Sequence, residues 1–471
     1  MHRRRFLATC SAGLVGLAGC GADTDGTGET GNTPEPTPAG VTEPPAGSSS
    51  PTERATGTET PADPPELEPV WTVSGLSGAE SAVSLALPGT RTRESAPAAL
   101  HAATETGELL WVDPADGSVA WRTSTRLAVD GTDREPPELF GIWRLGGALF
   151  TVAGDPTADE PYTTIVCRDP ATGEERWHDR RREILAPLDV REGAVYVAGE
   201  YLRKPTDELA PNEPRSRSGR LRALNAASGS VEAEATVDSS FSVATANHGL
   251  YVQRQRPDDG YRYSVVAFDR DLTRRWQVDT GSQIGRSLAT TAEGVLYVVG
   301  GELAELDART GDLRWTVGGW TNPPRSPDVL PDGTVYAGVD PVRQISPDGE
   351  VLHRLPPGVG GDAVAAPSTG RVYLDGTGAL YRVDRETGEV GWTYRAPAED
   401  YTDVAALPGE SVVATRGIDA ITILDVLDGA TGDVRGEVRV GRGLSEATAV
   451  GGLLVVASHG RLRGYDTSTV L

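Results

Sequence analysis

Residues 303–315 read Leu-Ala-Glu-Leu-Asp-Ala-Arg-Thr-Gly-Asp-Leu-Arg-Trp, and this stretch decides the fold. Two short apolar strands flank a turn at 307–311. An aspartate that opens such a turn can accept hydrogen bonds from the amides that follow it. Gly311 supplies the positive φ that a type I turn followed by a bulge requires. Trp315, four residues beyond that glycine, falls on the second strand, where a large flat ring can pack against a neighbouring unit.

The same unit recurs along the chain. The turn 113–117 leads to Trp121, 169–173 to Trp177, and 384–388 to Trp392. Degenerate copies pair 225–229 with Ala235, 269–272 with Trp276, and 428–432 with Gly436. The copy at 346–349 has His353 and Leu355 where the tryptophan would stand. Successive tryptophans are 39 residues apart from Trp276 to Trp315 and 56 apart from Trp121 to Trp177, so the excess sits in loops. A repeat of about 40 residues with four short strands is the mark of a β-propeller. A β-sandwich that happens to use Asp-Gly turns would not keep turn and tryptophan in constant phase.

Ala-x-Asp-x-x-Thr-Gly-x-x-x-Trp resembles the tryptophan-docking signature of the pyrroloquinoline-quinone-like propeller repeat. The resemblance runs over roughly residues 70–471 and implies an all-β, quinoprotein-like propeller of eight four-stranded blades. The docking residues Trp121, Trp177, Trp276, Trp315 and Trp392 are then structural, and the last four are expected to be mostly buried between blades. Counting units directly gives nine: outer strands end near 121, 177, 235, 276, 315, 354, 392 and 438, and a ninth hairpin, 453–466, lacks one. Residues 70–73, Val-Trp-Thr-Val, supply it, so the two ends of the chain close the ring and leave no free sheet edge.

Composition sets further bounds. The 471 residues carry a formal charge of −24, with Lys204 the only lysine. Such a chain has no field that would draw it to nucleic acid. Acidity with lysine avoided fits a salt-adapted protein, whose carboxylate repulsion strong salt would screen, together with a GC-rich genome, which also favours Arg, Ala, Gly and Asp.

Residues 1–20 read as targeting rather than structure. Arg3 and Arg4 begin a twin-arginine export pattern. An apolar run follows, too short to span a bilayer comfortably. It ends Leu17-Ala18-Gly19-Cys20, which resembles a lipobox with Cys20 as the lipidated anchor. The expected location is therefore the outer face of the cytoplasmic membrane. Residues 21–69 hold almost no large apolar side chain and read as a disordered acidic Thr/Pro/Gly tether. Cys167, on an expected strand, is then the one thiol left in the exported domain and serves as a small buried hydrophobe.

Catalytic motifs are sparse. The resemblance admits quinone- and Ca²⁺-dependent dehydrogenases, which carry a vicinal disulfide above the cofactor. This chain has no adjacent cysteines, and no stretch matches the calcium or catalytic-base segments of that group. The histidines do not show zinc spacing, and neither a nucleophile elbow nor a phosphate loop occurs. Two function classes remain. One is a non-catalytic, membrane-anchored propeller, monomeric, without cofactor, that binds protein or envelope partners. The other is a quinoprotein dehydrogenase-like enzyme. The absence of ligand motifs and the lipid anchor favour the first. For the partner face, the long insertions 124–139, 154–162, 200–219 and 255–262 are assigned to one end of the blades. The longest carries Tyr201, Arg203, Lys204, Arg215 and Arg217, basic for so acidic a chain.

Overall fold

The computed structural model describes residues 64–467 apart from short segments between strands, the longest being 87–99, 125–137 and 202–218. The described residues form thirty-six strands in nine four-stranded antiparallel sheets and no helix. These are the blades of a nine-blade propeller: blade 1 at 83–124, then 138–181, 183–237, 241–281, 289–317, 328–354, 363–395 and 400–441. Blade 9 joins 444–466 to the N-terminal strand Trp71–Val73. The blade number is thus the nine counted in the sequence, not the eight implied by the resemblance. Closure is explicit, with Trp71 opposite Gly464, Thr72 opposite Arg463 and Val73 opposite Leu462.

Burial explains the strand sequences. The second and third strands of each blade pack on both faces, so they read as nearly continuous apolar runs; Leu100–Thr104 is buried throughout. The outermost strand has one side toward solvent and alternates, as in Val231–Val237.

The joints between blades are built from one repeated contact. Each docking side chain on a fourth strand lies over the turn glycine of the next blade. A Cβ at Gly117 would stand 2.7 Å from the Trp71 ring, at Gly173 2.8 Å from Trp121, and at Gly229 2.7 Å from Trp177. Gly311 meets Trp276, Gly349 meets Trp315 and Gly432 meets Trp392 in the same way. These glycines all have positive φ, between 70° and 86°, so both the backbone and the ring above forbid a side chain there. Each indole N–H also donates to a carbonyl of that turn: Trp71 to Pro114 at 2.9 Å, Trp177 to Ala226 at 2.9 Å, Trp392 to Gly429 at 3.1 Å. In blade 6 His353 replaces the indole, lying over Gly388 with Nε2 2.9 Å from the Glu386 carbonyl.

Trp177 is 6% exposed, whereas Trp121, Trp276, Trp315 and Trp392 are half-buried, because the outer rim of the ring leaves one edge of those indoles to solvent. Register corrects one further expectation. The docking position of blade 3 is Ala233, opposite Ala223, rather than Ala235, which pairs with Leu221. Alanine leaves the joint between blades 3 and 4 open, and Leu272 of the next turn fills it. Leu272 occupies the glycine position at φ 58° and is 5% exposed, packed among Ala233, Ala235 and Val237. Loss of the ring on one side thus comes with gain of a side chain on the other.

Candidate partner interface

In each blade the second-to-third-strand loop and the link to the next blade leave at one end, and the Asp-Gly turns leave at the other. The insertion 202–218 belongs to the first end, between Ala194–Tyr201 and Gly219–Asn225 of blade 3. Tyr201 is placed by its backbone, opposite Glu183. Arg203, Lys204, Arg215 and Arg217 lie outside the described residues, as do Arg3, Arg4 and Cys20.

The rim around that insertion is lined with arginine. On blade 2, Tyr162 begins the third strand and Arg180 nears the end of the fourth, so both side chains reach the same end of the blade. The Arg180 guanidinium lies over the Tyr162 ring, 3.6 Å from its centroid. Arg181 Nε is 2.9 Å from Asp179 Oδ1. On blade 3, Arg222 is 3% exposed and forks to Glu183 at 2.5 and 2.7 Å, while its Nε donates to Glu234 at 2.7 Å. Arg220 also pairs with Glu234 and keeps 44% of its side chain exposed. Gly199 is the floor of this network, since a Cβ there would stand 2.1 Å from Glu183 Oε2. On blade 4, Arg254 donates to Ser264 Oγ at 3.1 Å and to Gln277 Oε1 at 2.9 Å.

Electrostatics follow from the pairing. Burial alone would lower the Arg222 guanidinium, but the hydrogen bonds and charges of Glu183 and Glu234 outweigh it and raise its pKa. Burial pushes the Glu234 carboxyl up, and Arg222 and Arg220 more than reverse this, holding it below the usual carboxylate range. Pairing thus favours the charged forms of both Arg222 and Glu234. Arg180 and Arg220 keep much of their side chains exposed at this end of the blades, Arg220 while paired with Glu234.

The opposite, turn-bearing end offers less. A crevice between blades 3 and 4, at the joint that lacks an indole, is lined by Asp189, Arg191, Tyr196, Thr245, Leu250 and Arg270. Its polar groups are used internally: Arg191 pairs with Asp189 at 2.5 Å and with the Ala246 carbonyl, and the Tyr196 hydroxyl donates to the Arg270 carbonyl at 3.1 Å. Asp425, 1% exposed, is likewise held, by Arg416 at 2.6 Å and by the Tyr394 hydroxyl at 2.5 Å. Among the described residues no three His, Cys, Asp or Glu gather in metal-ligand geometry. Cys167 is buried, and that burial pushes its thiol up to about 11, which leaves it unreactive.

A second aromatic row accompanies the tryptophans and was not evident in the sequence. It sits on the second strands, in register with the docking residues: His101, Phe150, Tyr196, Tyr251, Tyr336 and Tyr373. His101 and Trp121 both reach the Pro170 carbonyl, at 2.9 and 3.2 Å. Tyr251 and Trp276 share the Ala308 carbonyl at 2.9 and 3.3 Å. Tyr373 and Trp392 share that of Gly429 at 3.3 and 3.1 Å. The signal was the Tyr within Val-Tyr-Val and Leu-Tyr-Val, which looks like ordinary strand composition until register aligns it with the indoles.

Comparison with known proteins places the chain. No curated protein matches it. Among solved structures, BamB from Moraxella catarrhalis is 16% identical, with 85% of this chain and 99% of that chain covered at a TM-score of 0.47. The quinohemoprotein alcohol dehydrogenase from Comamonas testosteroni is 14% identical, with 85% and 76% covered at a TM-score of 0.47. The family model described as outer membrane protein assembly factor BamB matches residues 105–208, 213–330 and 329–469, nearly the whole ring. The chain therefore belongs to this family of pyrroloquinoline-quinone-like propellers.

Proposed function

We propose that the protein is a non-catalytic binding scaffold, exported and held at the outer face of the cytoplasmic membrane by a lipid on Cys20, whose propeller docks a protein or envelope partner. The observation that carries this reading is the family match, whose description is that of an assembly factor and not of an enzyme. Two features support it. The strands that flank the insertions 125–137 and 202–218 end at the same end of their blades, the end at which a rigid scaffold can present binding loops, whereas those that flank 87–99 end at the other. The rim beside the longest insertion exposes guanidinium groups within an otherwise acidic protein.

The test separates anchor from activity. Wild type should partition into detergent at high salt, and Cys20→Ser should be released or left unprocessed. Reconstitution with quinone and Ca²⁺ should give no dye-linked alcohol oxidation. Turnover there would replace the scaffold reading with the dehydrogenase one.

A further inference from the structure

One joint of the ring has neither a docking side chain nor a turn to receive it. Blade 8 carries Gly436 at the docking position, opposite Val426. Blade 9 has no continuous turn between its third and fourth strands, because these are the two ends of the chain. The position is nonetheless filled. The Glu437 amide donates to the Pro65 carbonyl at 2.9 Å, and the Leu67 amide donates to the Glu437 carbonyl at 2.8 Å. Glu66 pairs with Glu437 in parallel. A Cβ on Gly436 would stand 2.8 Å from Leu67 Cδ2 and 3.2 Å from the Pro65 carbonyl oxygen. Leu67 packs on the cluster that holds Val438, Leu454 and Tyr465, which spans blades 8 and 9.

We propose that residues 65–67 act as a strap, which takes the place of the missing docking indole, latches the closure seam, and fixes the point where the N-terminal segment leaves the ring at the outer edge of blade 8. An edge strand with free amides is open to strand addition, and this chain covers it with its own sequence. The consequence for orientation rests on the reading of Cys20 as the anchor. Pull from the membrane would reach the ring at blade 8. The insertion 202–218 on blade 3 is four blades away in one direction and five in the other, on the far side of the ring.

Amide exchange on the full chain tests the strap. The Glu437 amide should be protected in wild type and should exchange at least about tenfold faster in Leu67→Asp, with blades 2 to 5 unchanged. A glutamate-specific protease should cut at Glu66 and Glu68 far faster in the variant. Gly436→Ala dislodges the strap from the other side and should give the same pattern, which guards against a folding defect peculiar to Leu67→Asp. Equal exchange at Glu437 and equal cutting at Glu66 in wild type and both variants would overturn the proposal. Detergent partitioning of the wild type reports separately on the anchor. Glu437 protection in a protein that stays in the aqueous phase would uphold the strap and dismiss the orientation drawn from it.

Discussion

Gly229→Ala and Trp177→Ala, singly and together, put the joint between blades 2 and 3 to a quantitative test. Trp177 is 6% exposed and packs beside Phe150, with ring centroids 6.1 Å apart. Truncating so buried a ring should cost about 3–5 kcal/mol. Gly229 has φ 71°, so an alanine there should lose about 1–2 kcal/mol to backbone strain alone. Its methyl would also stand 2.7 Å from two Trp177 carbons, a collision that should add about 1–3 kcal/mol. Once the indole is gone, the collision is gone. The double variant should therefore be more stable than the sum of the single losses by about 1–3 kcal/mol. The assay is denaturant unfolding at high salt followed by far-ultraviolet circular dichroism, which does not depend on the removed fluorophore. Additivity to within about 0.5 kcal/mol would refute the reciprocity of ring and glycine.

The joint between blades 3 and 4 offers the converse. Ala233→Trp should destabilise, Leu272→Gly should destabilise, and the two together should recover most of the loss by recreating the ordinary joint; a double variant as weak as the worse single one would speak against this. His101 supplies a pH signature. Burial lowers its pKa from 6.5 to about 4, with Arg144 adding a smaller push in the same direction against the Pro170 hydrogen bond. The unfolded chain thus binds the proton first, so this group's stability is full above pH 6.5 and is lost as pH falls toward 4, roughly 3 kcal/mol in all. His101→Phe, which copies Phe150 at the same register, should remove that part of the acid sensitivity; melting curves of equal pH dependence would contradict it. Deleting residues 462–471 removes the strand opposite Trp71–Val73 and should unfold the ring at far lower denaturant than trimming 468–471, and equal midpoints would count against closure by this pairing.

Much of the scaffold was legible because its determinants are local. Asp307, which opens the turn, and Trp315 are eight residues apart, and repetition of that spacing sets strand order, blade phase and the need for a closing strand near Trp71. Direct counting outperformed the resemblance for the same reason: each unit carries its own turn. Contacts between units were less readable. That Leu272 compensates for Ala233 depends on two residues in different blades that meet only once register is fixed. The Glu183–Arg222–Glu234 network joins the first, third and fourth strands of one blade, and Arg222 looks like any strand arginine in the sequence. The segment before Val70 reads as tether by composition, yet two backbone hydrogen bonds and Leu67 bring its end onto blade 8. Small polar-rich segments gain structure from an edge presented to them, and composition does not reveal the edge.

Capture of a partner by the 202–218 end of the ring tests the central claim most directly. Wild type and a variant with 202–218 replaced by a short Gly-Ser turn would be expressed in the native membrane and cross-linked at native salt. The variant should fold, because the strands on either side of the insertion are fully paired and loop shortening costs little. It should also remain in the membrane fraction. The account predicts that the cross-linked partner species seen with wild type disappears from the variant. Capture at wild-type level by the folded variant would contradict it.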